Sequence, residues 1–169
     1  MRLRANSMPK SMLTPAIKDM LDEAVRAELS ASNLYLHVAN QLQRLGFFGA
    51  QKFFLSESES ERGHYQIIAN YQNDSGTVAK VLAIPAMDEP VKTLRDALQT
   101  AYDTECQLER DYIRWYSACS KDPVTAEFLL QFLRGQRKSV GEYGDLLARL
   151  DLAGDDRSAI LMIDNELGK

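Results

Sequence analysis

The sequence predicts an all-α protein: a four-helix bundle with one long crossover between helices two and three and a short fifth helix. Three observations carry this. Apolar residues recur at three- and four-residue steps through four long stretches, with no strand-like alternation of useful length. Helix start and stop signals separate the stretches: Thr14-Pro15, Gly46, Asn73–Gly76, Met87–Pro90 and Lys121–Pro123. The link between Asp74 and Pro90 is far longer than the other two links between long stretches.

The elements follow in order. The first helix opens with Thr14 as N-cap and Pro15 at the first helical position, and it ends near Arg44–Gly46. The second runs from about Phe47 to Asn73, where Asn-Asp-Ser-Gly stops it. The third starts near Val91 and continues to about Ser120. The fourth starts near Asp122 and ends near Leu150, and a short fifth segment, Asp156–Leu167, follows the break at Gly154. Short links make helices one and two, and three and four, antiparallel neighbours. Such helices are about 42 Å long, and residues 74–90 fully extended reach roughly 56 Å. The crossover can therefore traverse the bundle and leave helices two and three parallel.

At 169 residues the chain suits a single domain. Residues 1–13 read as a flexible basic arm, without the apolar run of a secretory signal, and 14–169 as the domain. A net charge of −4 speaks against nucleic acid as a main partner. No apolar run approaches the roughly 20 residues of a membrane span. Cys106 and Cys119 lie in one predicted helix, about 20 Å apart along its axis, too far to bond to each other. Reduced thiols and a cytoplasmic location are the expectation.

The apolar seams locate the chemistry. They read Ile17, Leu21, Ala24, Glu28, Ala31, Tyr35, Val38, Leu42 in helix one, and Phe54, Glu57, Glu61, His64, Ile68, Tyr71 in helix two. Helix three gives Leu94, Leu98, Ala101, Glu105, Leu108, Tyr112, Trp115, and helix four Leu129, Phe132, Gln136, Ser139, Tyr143, Leu146, Leu150. Each row is interrupted near its middle by a metal-binding or hydrogen-bonding group, so Glu28, Glu61, Glu105 and Gln136 reach one height. No lysine or arginine on these rows offsets the carboxylates. Three uncompensated carboxylates in a core cost several kcal/mol each, so they are either protonated or joined by cations. Glu61 and His64, three residues apart, project across one turn, as di-iron carboxylate bundles require. Carboxylates with imidazole and no thiolate suit Fe(II), Mn(II) or Zn(II).

These residues carry a resemblance to the non-haem ferritins of the 24-subunit, bacterial type, from about Leu13 to Leu167. In Asp22–Tyr35, Glu28 is similar to the family's first-helix iron ligand and Tyr35 to the tyrosine seven residues on. In Ser58–Ile68, Glu61 resembles the carboxylate bridging two irons and His64 the imidazole on the first. Glu105 resembles the third-helix ligand of the second iron and Gln136 the fourth-helix glutamine; Leu152–Leu167 resembles the short helix at the shell's fourfold axis. The resemblance implies an iron-storage subunit whose di-iron centre oxidises Fe(II) with O2 or H2O2, in a self-assembled homo-24-mer. Iron is the implied cofactor, and no haem is expected, because Arg62 stands where the haem-binding relatives have methionine. Helix four lacks the histidine of the bacterioferritin and rubrerythrin pattern.

The chain also departs from the family. Ser60, Gly135, Arg137, Lys138, Ser139 and Val140 replace residues often acidic in bacterial members, which speaks against a third iron site. Two other readings therefore stand beside the first: a non-catalytic shell subunit with a degenerate centre, and a small di-metal oxidase that forms no cage. Among the remaining candidates, Glu57 is expected at the bundle edge or in solvent, and Glu59 and His37 at the surface. Tyr112, Trp115 and Tyr143 are expected as core packing. Tyr35 is either core or a partner to a metal ligand. Glu127 is a candidate for the threefold channel, and Gly63, beside His64, has no evident reason to be glycine.

Overall fold

The computed structural model describes residues 10–169. It contains five helices: α1 (Pro15–Leu45), α2 (Phe48–Asp74), α3 (Leu94–Ala118), α4 (Pro123–Ala153) and α5 (Arg157–Leu167). There is no strand among the described residues. Of the expected arm, residues 1–9 lie outside the described range. Residues 10–13 run against the end of α2, where the Met12 amide donates to the Ser75 carbonyl at 2.9 Å and Leu13 is buried.

Most helix ends follow the local signals. Thr14 caps α1 by accepting from the Ile17 amide at 3.3 Å, with Pro15 behind it. Gly46 closes the helix at φ 87°, a left-handed conformation that favours glycine. Two boundaries differ from expectation. α3 begins at Leu94 rather than Val91, because Thr93 and Asp96 form a reciprocal capping box with both bonds at 3.0 Å. α4 runs three residues past Leu150, to the break at Gly154.

α1 packs chiefly on α2 and α3 on α4. The crossover, residues 75–93, is pinned along α1 at both ends. The Lys80 amide donates to Asp22 at 2.8 Å, while the Val91 amide donates to Gln41 at 2.8 Å. Between those two contacts α1 advances about 28 Å, a distance within reach of the segment 80–91. The chain thus returns to the far end of α1 before α3 begins, and α3 runs antiparallel to α1 and parallel to α2. His37 lies part-exposed on α1 with a ring nitrogen 3.2 Å from the Glu89 carbonyl, so this surface histidine helps hold the crossover.

α5 closes the end of the bundle where α2 begins. Phe47 offers α2 no side-chain cap, and the buried Asp164 supplies one from α5. Its carboxylate accepts from the Gly49 and Ala50 amides at 3.2 and 2.7 Å. The two segments touch so closely that a Cβ on Gly49 would lie 1.8 Å from the Asp164 carbonyl oxygen. Gly63 is the opposite case: a Cβ there would meet nothing within 4 Å. Gly49→Ala should therefore destabilise the protein by about 1–3 kcal/mol. Gly63→Ala should stabilise it by about 0.5–1 kcal/mol. Thermal unfolding of the two variants side by side checks both signs.

Candidate metal centre

The buried core is split in two. One cluster gathers Tyr35, Phe54, Leu98 and Tyr143, and the other Leu21, Ile68, Tyr112, Trp115, Leu129 and Phe132. Glu28, Glu61, Glu105 and Gln136 are all buried and lie at the level between the two clusters. Small neighbours let the helices approach there: Ala24 and Ala31 flank Glu28, and Ala101 precedes Glu105 by one turn. A pair of serines sets the register of α1 against α2. The Ser32 hydroxyl donates to the Ser58 carbonyl and the Ser58 hydroxyl to the Ser32 carbonyl, each at 2.8 Å. Ser32 is one turn from Glu28 and Ser58 one turn from Glu61, so this reciprocal bond brings the two carboxylates together.

His64 Nδ1 lies 2.9 Å from Glu61 Oε2 and 3.3 Å from Glu28 Oε2. One ligand atom from each of Glu28, Glu61 and His64 lies within 4.8 Å of the others. Glu105 adjoins them from α3, its Oε2 accepting from Gln136 Nε2 at 2.7 Å. The tyrosines complete the layer. Tyr35 donates to Glu105 Oε1 and Tyr112 to Glu28 Oε1, a reciprocal pair across antiparallel helices. Tyr143 donates to Glu57 Oε2 at 3.1 Å.

The electrostatics demand a cation or protons. No lysine or arginine is among the buried polar residues described. Burial, with Glu61 nearby, pushes Glu105 up to about 7. Burial, and then Glu28 beside it, pushes Glu61 up to about 8 despite the His64 hydrogen bond. For His64 burial opposes the charge, but the carboxylates of Glu28 and Glu61 beside it outweigh burial and raise the imidazole to about 10. The three tyrosines, buried beside carboxylates, sit well above the ordinary phenol range and remain donors. Glu28 Oε2 is fully buried and has no hydrogen-bond partner. An orphaned carboxylate oxygen facing an imidazole and a second carboxylate fits a divalent cation with oxygen and nitrogen ligands.

Of the six residues expected at the site, Glu28, Glu61 and His64 lie together, and Tyr35 and Gln136 meet at Glu105. Tyr35 donates not to Glu28, seven residues before it, but to Glu105 across the bundle. Glu57 is half-buried, in keeping with a place at the bundle edge, and accepts from Tyr143 on α4. Two expectations are corrected. Tyr112 and Tyr143 are more than packing, since both hydroxyls bind carboxylates. A signal was present: Tyr112 follows Glu105, and Tyr143 follows Gln136, by the seven residues that separate Tyr35 from Glu28. Trp115 does remain in the core, edge-on to Tyr112. Glu59 is exposed, as expected, and both cysteines are free thiols. On α4, Arg137 pairs with Glu109 at 2.6 Å and Lys138 with Glu142 at 3.3 Å.

Comparison with known proteins decides the family. The ferritin-like domain of the ferritin family matches residues 18–153. The chain belongs to the ferritin family. It is 28% identical to the bacterial non-heme ferritin of Bacteroides fragilis over 160 residues, covering 94% of this chain and 99% of that one. It is 32% identical to the ferritin of Pacifastacus leniusculus over 154 residues, 87% and 84% of the two chains. In fold it is similar to the open-pore ferritin of Archaeoglobus fulgidus, with a TM-score of 0.91 at 21% identity over 94% and 98% of the chains. No helix among the described residues is long and apolar enough to cross a membrane.

In this ferritin-family fold the carboxylate layer makes stability depend on pH. Glu61, Glu105 and His64 bind protons more tightly folded than unfolded. The folded state therefore holds extra protons on Glu61 and Glu105 from about pH 4.5 upward and on His64 from about 6.5, and their contribution is lost as pH rises through 7, 8 and 10. The melting temperature of the metal-free protein should fall from pH 6 to pH 8.5. Zn(II) replaces protons there, so it should raise the melting temperature more at pH 8.5 than at pH 6. Glu61→Gln should flatten both trends. A parent melting temperature that climbs over this range would show that the carboxylates ionise freely.

Proposed function

We propose that the chain is an iron-storage subunit with ferroxidase activity. Two Fe(II) ions are the substrate. Glu28, Glu61 and His64 hold one, and Glu61, Glu105 and Gln136 the other, with Glu61 shared. The observation that carries this reading is the buried group of three carboxylates with no lysine or arginine among the buried residues described and only the His64 imidazole beside them to offset their charge. Each Fe(II) gives up one electron; O2 takes both with two protons from solvent and leaves as H2O2, or H2O2 takes both with two protons and leaves as two water molecules. Hard anionic carboxylates favour the Fe(III) product. Gln136 adds no charge, so it restrains Glu105 and holds the second iron more loosely than the first, which eases release.

The iron then passes to mineral inside a shell of 24 copies. Supporting this assembly, the α4–α5 end exposes Leu152 at 90%, Met162 at 64% and Leu161 at 49%, side chains that association would cover. Stopped-flow mixing with Fe(II) in air should show rapid oxidation saturating at two irons per subunit. Glu61→Ala should slow it at least tenfold. Equal rates for parent and variant would refute the assignment. Light scattering should give a mass near 24 subunits, whereas a dimer-sized species would favour a di-metal oxidase without a cage.

A further inference from the structure

Tyr112 touches the first metal position in two ways at once. Its hydroxyl donates to Glu28 Oε1, which leaves Oε2, the oxygen without a hydrogen-bond partner, facing His64 at 3.3 Å. Its ring lies flat on Phe132, with centroids 5.1 Å apart and planes 2° from parallel. Phe132 in turn meets the His64 ring edge-on at 5.7 Å. One side chain therefore restrains a carboxylate by a hydrogen bond and an imidazole through an intervening ring. Tyr35 has the matching role on the other side: it donates to Glu105 and packs against Phe54, and its hydroxyl makes no hydrogen bond to Glu28 or His64.

We infer that Tyr112 is the positioning residue of the Glu28–His64 metal position, holding Glu28 to one-oxygen coordination, and that Tyr35 governs only the Glu105 position. Control is thus crossed: each tyrosine acts on the carboxylate of the opposite helix and not on the one seven residues before it. A phenol on one carboxylate oxygen keeps that oxygen from the ion, so the ligand presents the other in one orientation. Groups that hold a metal ligand in place typically cost 10–100-fold in affinity when removed. The inference rests on the two-metal reading proposed above, and Co(II), which air does not oxidise in such sites, separates the two.

The test is anaerobic titration of the full-length protein with Co(II), followed by visible absorption and calorimetry. The parent should take up two Co(II) per subunit. Tyr112→Phe keeps the ring and removes only the hydroxyl. It should weaken the first equivalent about tenfold or more and lower the intensity of its visible bands, as Glu28 turns both oxygens to the ion and coordination number rises. Tyr35→Phe should leave the first equivalent as in the parent and weaken the second. If Tyr112→Phe unfolds, Phe132→Leu, which keeps the hydroxyl, should still alter the first equivalent's bands through His64. A first equivalent unchanged or tightened in Tyr112→Phe, or equally disturbed by Tyr35→Phe, overturns the inference while leaving the two-metal reading intact. A parent that binds no Co(II) overturns both.

Discussion

Burial of Glu28, Glu61 and Glu105 at one level of an apolar bundle is the constraint around which the other parts are arranged. Each charge there forgoes hydration worth several kcal/mol, and no buried lysine or arginine among the described residues compensates. The layer therefore binds either protons or cations, and the raised pKa values of Glu61 and Glu105 express that alternative in the metal-free state. A core built only for stability would fill this level with leucine. The polar layer instead divides the apolar core into two clusters, each of which must close on its own.

The supporting contacts serve that layer. The serine pair fixes α1 against α2 one turn from the two glutamates. The reciprocal tyrosine–glutamate bonds fix α1 against α3, and Gln136 ties α4 to the same carboxylate that Tyr35 holds. Two carboxylates in related settings thus differ in their second partner: a neutral amide at Glu105 and an imidazole at Glu28. That difference makes the two proposed iron positions unequal before any metal enters. Far from the layer, Asp22 and Gln41 secure the crossover and Asp164 caps α2, so the helices keep the register the layer needs.

Much of this was legible in the chain itself. Three- and four-residue periodicity, Thr14-Pro15, Gly46 and the long link to Pro90 were enough for the helices and their topology, because those signals act within a few residues. Glu28, Glu61, His64, Glu105 and Gln136 could be read as one layer, since each lies near the middle of its seam. What escaped depends on contacts between distant segments. Periodicity marked Tyr112 and Tyr143 as buried but could not say what their hydroxyls meet. The bond from Tyr143 to Glu57 likewise joins residues far apart in sequence. The cap on α2 comes from Asp164, far along the sequence, and no local pattern announces it. Gly63 faces open space, and nothing in the structure explains the choice of glycine there.

The most direct test of the central claim is anomalous X-ray diffraction from crystals of the protein soaked in Zn(II). The account predicts two peaks per subunit inside the bundle, one among Glu28, Glu61 and His64 and one between Glu61 and Glu105. Anomalous density confined to surface carboxylates, with the interior layer empty and its glutamates still held by His64, Gln136 and the tyrosines, would contradict it.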